Sequence, residues 1–352
     1  MHQSLKRENI QVVVLGPVPP PVFLISFIKL ITVIITLFSH KKYNADSNIL
    51  MSLYYAFVFS RKLKKHDLDA IFAPIASTEI AFLRTKVPLC YLSDSSFAQL
   101  KDYYEKYSGL SSFSEMESDL IEKRALKKAK MVVYPSEWAA DFVVRNYKID
   151  EKKIEIIKFG ANIDNPLFTI DLKKRTNPFK LLFVAVDWER KGGNLVFETL
   201  LILLERGYDV ELTVCGCIPP VMHDKMRVIP FLDKNNADES KAFVELLNSS
   251  YLLFVPTRAE CYGIVFCEAA ACGLPSVTTK TGGVASVVED GVNGYALPFE
   301  AGADKYAELI IHLIVNKELY SALSISAKEK YAKELSWDSW AKSIKEILTR
   351  MI

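Results

Sequence analysis

Short β-branched and aromatic runs alternate with amphipathic stretches along most of this chain. Such runs, bounded by turn residues, predict buried strands. In the first half they fall at residues 10–15 (IQVVVL), 70–74 (AIFAP), 88–92 (PLCYL), 131–134 (MVVY) and 154–158 (IEIIK). Residues 115–128 predict a helix with Met116, Leu120, Ile121, Ala125 and Leu126 on its apolar face. Ser136 predicts the N-cap of another helix, opening at Glu137. Residues 160–178 are polar and turn-rich and read as an interdomain linker. The alternation then restarts at 179–186, with a helix over 195–206 and a strand at 210–215. Strands at 227–230, 251–255, 276–279 and 295–297 follow, with a helix at 240–248. Strands separated by helices need crossover connections, so the fold class is α/β with parallel sheets. Two doubly wound units in tandem are expected, with ligands at the strand C-terminal ends.

Residues 22–39 (VFLISFIKLITVIITLFS) are long enough to raise a membrane span. Lys29 stands in the middle, and Ser26, Lys29, Thr32, Thr36 and His40 recur at helical spacing. Pro17, Pro19, Pro20 and Pro21 end the preceding strand and supply a first helical turn. The expectation is a helix mostly buried against a sheet, with peripheral contact to a membrane surface as the second reading. No small-residue cleavage pattern follows, so a signal peptide is not expected.

At 352 residues the chain has the length of about two domains. Its 44 Lys and Arg against 42 Asp and Glu leave a net charge of +2, without the basic excess that nucleic-acid binding requires. Six cysteines show no Cys-x-x-Cys pair and five histidines no metalloprotease motif, so the usual zinc-site spacings are missing. Cys215-Gly-Cys217 has the chemistry to grip a soft metal, but small hydrophobes at a strand end is the favoured reading, and reduced thiols fit the cytoplasm. Glycine changes the picture more. Only Gly16, Gly109 and Gly160 precede residue 190, whereas eleven of the 14 lie between Gly192 and Gly302. Close backbone approach is therefore concentrated in the second half.

Four segments there carry candidate chemistry. Arg190-Lys191-Gly192-Gly193 lies between a strand and a helix, where cations and helix N–H groups suit a phosphate. An ordinary turn with solvated charges is the equal alternative. Glu260 precedes a helix opening near Gly263, and Glu268 lies inside it, an arrangement suited to hydroxyls of a sugar or ribose. The alternative is a loop acid and a surface charge, although the apolar residues flanking Glu268 disfavour solvation. Thr281-Gly282-Gly283 forms a second strand-to-helix turn apt for backbone contact. Asp290 to Gly294 reads as a turn.

The spacing of Glu260 and Glu268, followed by Ala-x-x-x-Gly-x-Pro, resembles the signature of retaining glycosyltransferases of family 4, which have the GT-B fold. Lys191-Gly192, Thr281-Gly282-Gly283 and Asp290 to Gly294 match that family in order. Residues 134–140, 156–162 and 337–352 resemble its remaining segments, so the likeness runs from about Ile10 to the end. The resemblance implies two Rossmann-like domains facing across a cleft, at residues 1–165 and 166–335, with a helix at 336–352 crossing back. The first domain is expected to lack an opening β–α unit. Lys191, helped by Arg190 and Gly192, would hold the diphosphate of a nucleotide-sugar donor. Glu268 would bind ribose and Glu260 the transferred sugar. Backbone at Gly263, Ile264 and Val265 and the turn at Thr281, Gly282 and Gly283 would support sugar and phosphates. Val186 stands where the family often has an arginine. Asp94 stands near the family's cleft histidine and is assigned beside the acceptor or transferred sugar, with a helix-capping role alongside Ser95 or Ser96 as the alternative.

The implied activity is metal-independent transfer with retention to a glycan, lipid-linked or small-molecule acceptor. No pyridoxal phosphate motif accompanies it. The chain is placed in the cytoplasm or on the cytoplasmic face of a membrane. Rival readings are a GT-B remnant that binds nucleotide without turnover and a sugar-nucleotide epimerase.

Overall fold

A computed structural model describes residues 1–163 and 178–352. Most of the expected linker and the expected domain boundary at 165/166 lie outside the described residues. The chain divides into two compact units, Met1–Ile157 with Ala341–Ile352, and Lys158–Trp340.

Unit 1 holds a parallel sheet of β1 (Ile71–Pro74), β2 (Leu89–Leu92), β3 (Met131–Tyr134) and β4 (Ile154–Ile156), in that spatial order. Ile71 faces Leu89, Cys90 faces Met131 and Val132 faces Ile154 across the ladders. The helices are α1 (His2–Arg7), α2 (Val22–Ser39), α3 (Ile49–Leu63), α4 (Ser77–Ile80), α5 (Phe97–Leu100), α6 (Ser112–Lys128) and α7 (Glu137–Tyr147). Ser136 caps α7, its Oγ accepting from the Ala139 N–H at 3.3 Å. Tyr91, Leu126, Val132, Tyr134 and Val143 form the centre of the core.

Three expectations fail in unit 1. Residues 10–15 join no sheet. A cavity of about 560 Å³, lined by Val12 and Val14 on this segment and by Phe59, Leu63 and Phe72, separates them from the edge strand β1, so no ladder forms. α2 is not buried against a sheet. Only Leu24 and Ile28 are fully covered, because α2 packs on Met51, Tyr54 and Tyr55 of α3. α6 turns Met116 and Leu120 outward and buries Glu117 and Glu122 instead. Tertiary partners decide this: Glu117 accepts from Tyr43 Oη at 2.7 Å, and Glu122 from Tyr91 Oη at 3.2 Å.

Among the described residues, unit 2 holds six parallel strands: β5 (Phe179–Val184), β6 (Val210–Cys215), β7 (Met226–Ile229), β8 (Leu252–Val255), β9 (Ser276–Thr279) and β10 (Gly294–Leu297). Their spatial order is β10-β9-β8-β5-β6-β7. All four β8 side chains are buried, as expected of a central strand covered on both faces. The helices are α8 (Gly193–Glu205), α9 (Ala237–Ser249), α10 (Ile264–Ala271), α11 (Ala303–Val315) and α12 (Lys317–Glu334). α13 (Trp337–Met351) starts in unit 2, and its residues from Ala341 on belong to unit 1. The winding reverses between β5 and β8, which pair through Leu181–Leu252 and Leu182–Leu253. Ligand sites of open α/β sheets form at the carboxyl ends of strands flanking such a reversal.

Candidate functional site

The loops leaving β5, β8 and β9 meet at that reversal, because these three strands are neighbours and all run one way. The loop after β5 carries Asp187 to Gly192. Its Arg190 carbonyl accepts from the Arg258 N–H at 2.8 Å, and the Arg190 guanidinium donates to the Ala259 carbonyl at 3.0 Å. The loop after β9 joins through the Gly283 N–H, which donates to the Glu260 carbonyl at 3.2 Å. Thr281 Oγ1 reaches the Arg258 carbonyl at 3.5 Å. Three turns distant in sequence are thus stitched into one surface.

Glycine permits the stitching. Gly192 caps α8 at φ +80, and a Cβ there would collide with the Pro256 carbonyl oxygen. Gly263 caps α10 at φ +96, where a Cβ would lie 2.5 Å from the Phe266 ring. Both need the left-handed conformation that other residues adopt at a cost. The helices behind them begin with N–H groups that have no acceptor within the helix, Ile264 and Val265 opening α10. Two positive helix ends therefore start at this surface.

Two acid–base pairs complete it. Lys191 Nζ contacts Glu260 Oε2, with both side chains largely withdrawn from solvent. Lys234 Nζ lies 2.5 Å from Glu268 Oε1. Glu268 sits in the second turn of α10 at 1% exposure. Burial pushes its carboxyl up from the ordinary value, and Lys234 and the Asn162 backbone N–H pull it back only in part. A buried carboxylate tied to one lysine keeps acceptor capacity for hydroxyl donors. Lys191, beside the first turn of α8, provides a cation where an anion would approach.

Arg190, Lys191, Gly192, Glu260, Gly263, Thr281, Gly282 and Gly283 are therefore together at the loop surface, and Ile264, Val265 and Glu268 follow on α10. Asp94 belongs to unit 1. It follows β2 by two residues and accepts from Ser95 Oγ at 3.0 Å, while the N-cap of α5 is Ser96. Lys234 was absent from the expected set. Its loop follows β7 and, the sheet being parallel, leaves at the same edge as the other three. That topology was the one signal for it, since 34 residues separate it from its partner.

Comparison with known proteins covers both halves. Residues 1–165 match the family model "Glycosyltransferase Family 4", and residues 168–330 match "Glycosyl transferases group 1". An uncharacterized glycosyltransferase of Methanocaldococcus jannaschii is 31% identical over 127 residues, 36% of this chain and 35% of that protein. A D-inositol 3-phosphate glycosyltransferase of Corynebacterium jeikeium is 23% identical, over 65% of this chain and 59% of the relative. The chain thus matches less than two thirds of the length of either relative. The crystal structure of Anabaena HepE in complex with UDP superposes with a TM-score of 0.63 at 17% identity, covering 84% of this chain and 82% of that one.

Proposed function

This chain belongs to the family 4, group 1 glycosyltransferases of the GT-B fold, and from that premise we propose that it moves a sugar from a nucleotide-diphosphate sugar to an acceptor hydroxyl. The observation that carries the reading is the stitched surface of unit 2, where Lys191 and Glu260 pair beside the first turn of α8 and Lys234 holds Glu268 within α10. A nucleotide diphosphate suits it: Lys191 and Arg190 face the phosphates, and the buried Glu268 carboxylate accepts from the ribose hydroxyls. The relative crystallised with UDP supports that class of donor. Glu260 takes hydroxyls of the sugar, and its hold on Lys191 places that ammonium between sugar and phosphate.

In the transfer, the bond from the anomeric carbon to the diphosphate oxygen breaks and the acceptor oxygen bonds to that carbon. The acceptor's proton passes to the departing phosphate, on the same face, so configuration is retained. Lys191 and the helix N-termini stabilise the charge that builds on the phosphate, the role a divalent cation fills elsewhere. Asp94 is assigned to the acceptor side, and the acceptor is a glycan, a lipid-linked saccharide or a small molecule.

The test is thermal-shift screening against UDP, GDP and ADP and their sugars, followed by product analysis in EDTA. One nucleotide series stabilises the protein, Glu268→Ala abolishes that shift, and the product keeps the donor's anomeric configuration. If no nucleotide shifts the melting temperature, the donor assignment fails. Inversion, or loss of turnover in EDTA, refutes the corresponding part of the mechanism.

A further inference from the structure

Unit 1 carries a surface that the donor site does not use. α2 has three stripes. Leu24, Ile28, Ile31 and Ile35 pack with Tyr43 and the α3 side chains Met51, Tyr54 and Tyr55. Lys29, Thr32, Thr36 and His40 form a polar stripe. Between these, Phe23, Phe27, Leu30, Ile34, Leu37 and Phe38 recur at helical spacing and stand exposed, Phe23 at 75%, Leu37 at 67% and Phe38 at 86%. α3 adds Leu50, Leu53 and Phe57 on its own exposed face, with the Arg61 guanidinium 4.0 Å over the Phe57 ring. Apolar side chains exposed at this density mark an interaction surface.

Charge says what covers it. Residues 22–66 contain seven Lys and Arg against one acid, Asp46, so this segment carries +6 in a chain whose net charge is +2. Asp46 is itself paired with Lys106. An apolar helical face bordered by cations fits the boundary between anionic headgroups and acyl chains.

Length and composition alone would also let α2 cross a bilayer. The anchoring at its two ends argues otherwise. The helix is about 27 Å long at ~1.5 Å per residue, and a span would put its ends on opposite sides of the bilayer. Both ends are tied to one folded unit: Tyr54 Oη reaches the Pro19 carbonyl at 3.4 Å, and the Lys42 backbone pairs with Gly109 and Ser111. α3 is held in turn by Ser52 Oγ, which donates to the Thr78 carbonyl at 2.5 Å.

We propose that α2 and α3 form a docking face that seats unit 1 on an anionic lipid bilayer, with α2 lying in the plane of the interface. The inference rests on unit 1 and is independent of the donor reading, because vesicle binding needs no nucleotide.

The test is flotation of the full chain with phosphatidylcholine vesicles and with vesicles of equal parts phosphatidylcholine and phosphatidylglycerol. The protein floats with the anionic vesicles, less so as salt rises. Leu37→Glu with Phe38→Glu lowers the partition coefficient about tenfold or more. Lys41→Gln with Arg61→Gln does so to a similar extent of about tenfold or more. Both variants keep the wild-type melting temperature. Absence of flotation overturns the proposal, as does equal binding to neutral vesicles that ignores the charge variant. Self-association without vesicles, lost in the Leu37/Phe38 variant, would make a second copy the occupant and overturn it. Material from native membranes that resists alkaline carbonate would make α2 a span and overturn it equally.

Discussion

Glu122 offers the most direct quantitative test of the fold of unit 1. Its carboxyl is buried under the sheet, accepting from Tyr91 Oη at 3.2 Å. Burial pushes it from the ordinary 4.5 up to about 7, the largest effect, while Ser77 and Tyr91 pull the other way. Below pH 4.5 the group is protonated in both folded and unfolded chains and contributes no pH dependence. Between 4.5 and about 7 the folded chain holds the proton and the unfolded chain does not, so stability falls as pH rises. Above 7 both are ionised and the loss is complete. That interval amounts to about 3 kcal/mol at ~1.4 kcal/mol per pH unit. Glu122→Gln keeps an acceptor for Tyr91 without a charge, so it should stabilise unit 1 by about 3 kcal/mol at pH 8 and by under about 1 kcal/mol at pH 5. Urea unfolding of wild type and variant, followed by circular dichroism across this range, gives the difference directly. A gain independent of pH, or one that grows toward acid, refutes the argument that an ionised carboxylate is being forced into the core.

Four further outcomes concern unit 2. Lys234→Met leaves the Glu268 carboxylate buried without its cation. Lys234 is itself about a third exposed, so the destabilisation should be about 1–3 kcal/mol by chemical denaturation. That gap should narrow as pH falls and Glu268 takes up a proton, and a constant gap would show that the pair does not hold the ionised form. Lys191→Met should weaken nucleoside diphosphate binding about tenfold or more by calorimetry. Glu260→Gln, which frees Lys191 from its partner, should keep that binding while transfer is lost, and a matched loss of both would remove Glu260 from the sugar. Gly192→Ala forces an alanine to φ +80 against the Pro256 carbonyl and should cost about 2 kcal/mol or more in thermal unfolding.

What the chain discloses before folding depends on whether the deciding interaction is local. The strands of unit 2 were readable because β8 is apolar at every position, which only a strand covered on both faces tolerates. The caps were readable because Ser136 bonds three residues ahead. Residues 10–15 have a strand's composition, but composition does not name the neighbour, and the edge of β1 stands across a cavity from them. The buried face of α6 departs from its apolar pattern for the same reason. Met116 and Leu120 have the apolarity, while Glu117 and Glu122 have the partners, Tyr43 and Tyr91, 74 and 31 residues away. In unit 2, the segments holding Lys191, Glu260 and Glu268 announced themselves by spacing, whereas Lys234 required knowing which loops share the sheet edge.

The uneven glycine distribution takes on a different cause in the structure. Its concentration after residue 190 suggested turns that let backbone approach a ligand. At Gly192 and Gly263 the close neighbour is protein: the Pro256 carbonyl for one, the Phe266 ring for the other. Glycine there measures how tightly the loops after β5, β8 and β9 are pressed together. Loops sewn by the Arg190–Arg258 and Gly283–Glu260 hydrogen bonds lose their freedom in folding and not in binding. A donor meeting Lys191 and Glu260 at this surface would meet groups already in place. The prediction for Gly192→Ala thus has a functional edge: where the variant still folds, nucleotide affinity should fall although no side chain facing the phosphates has changed.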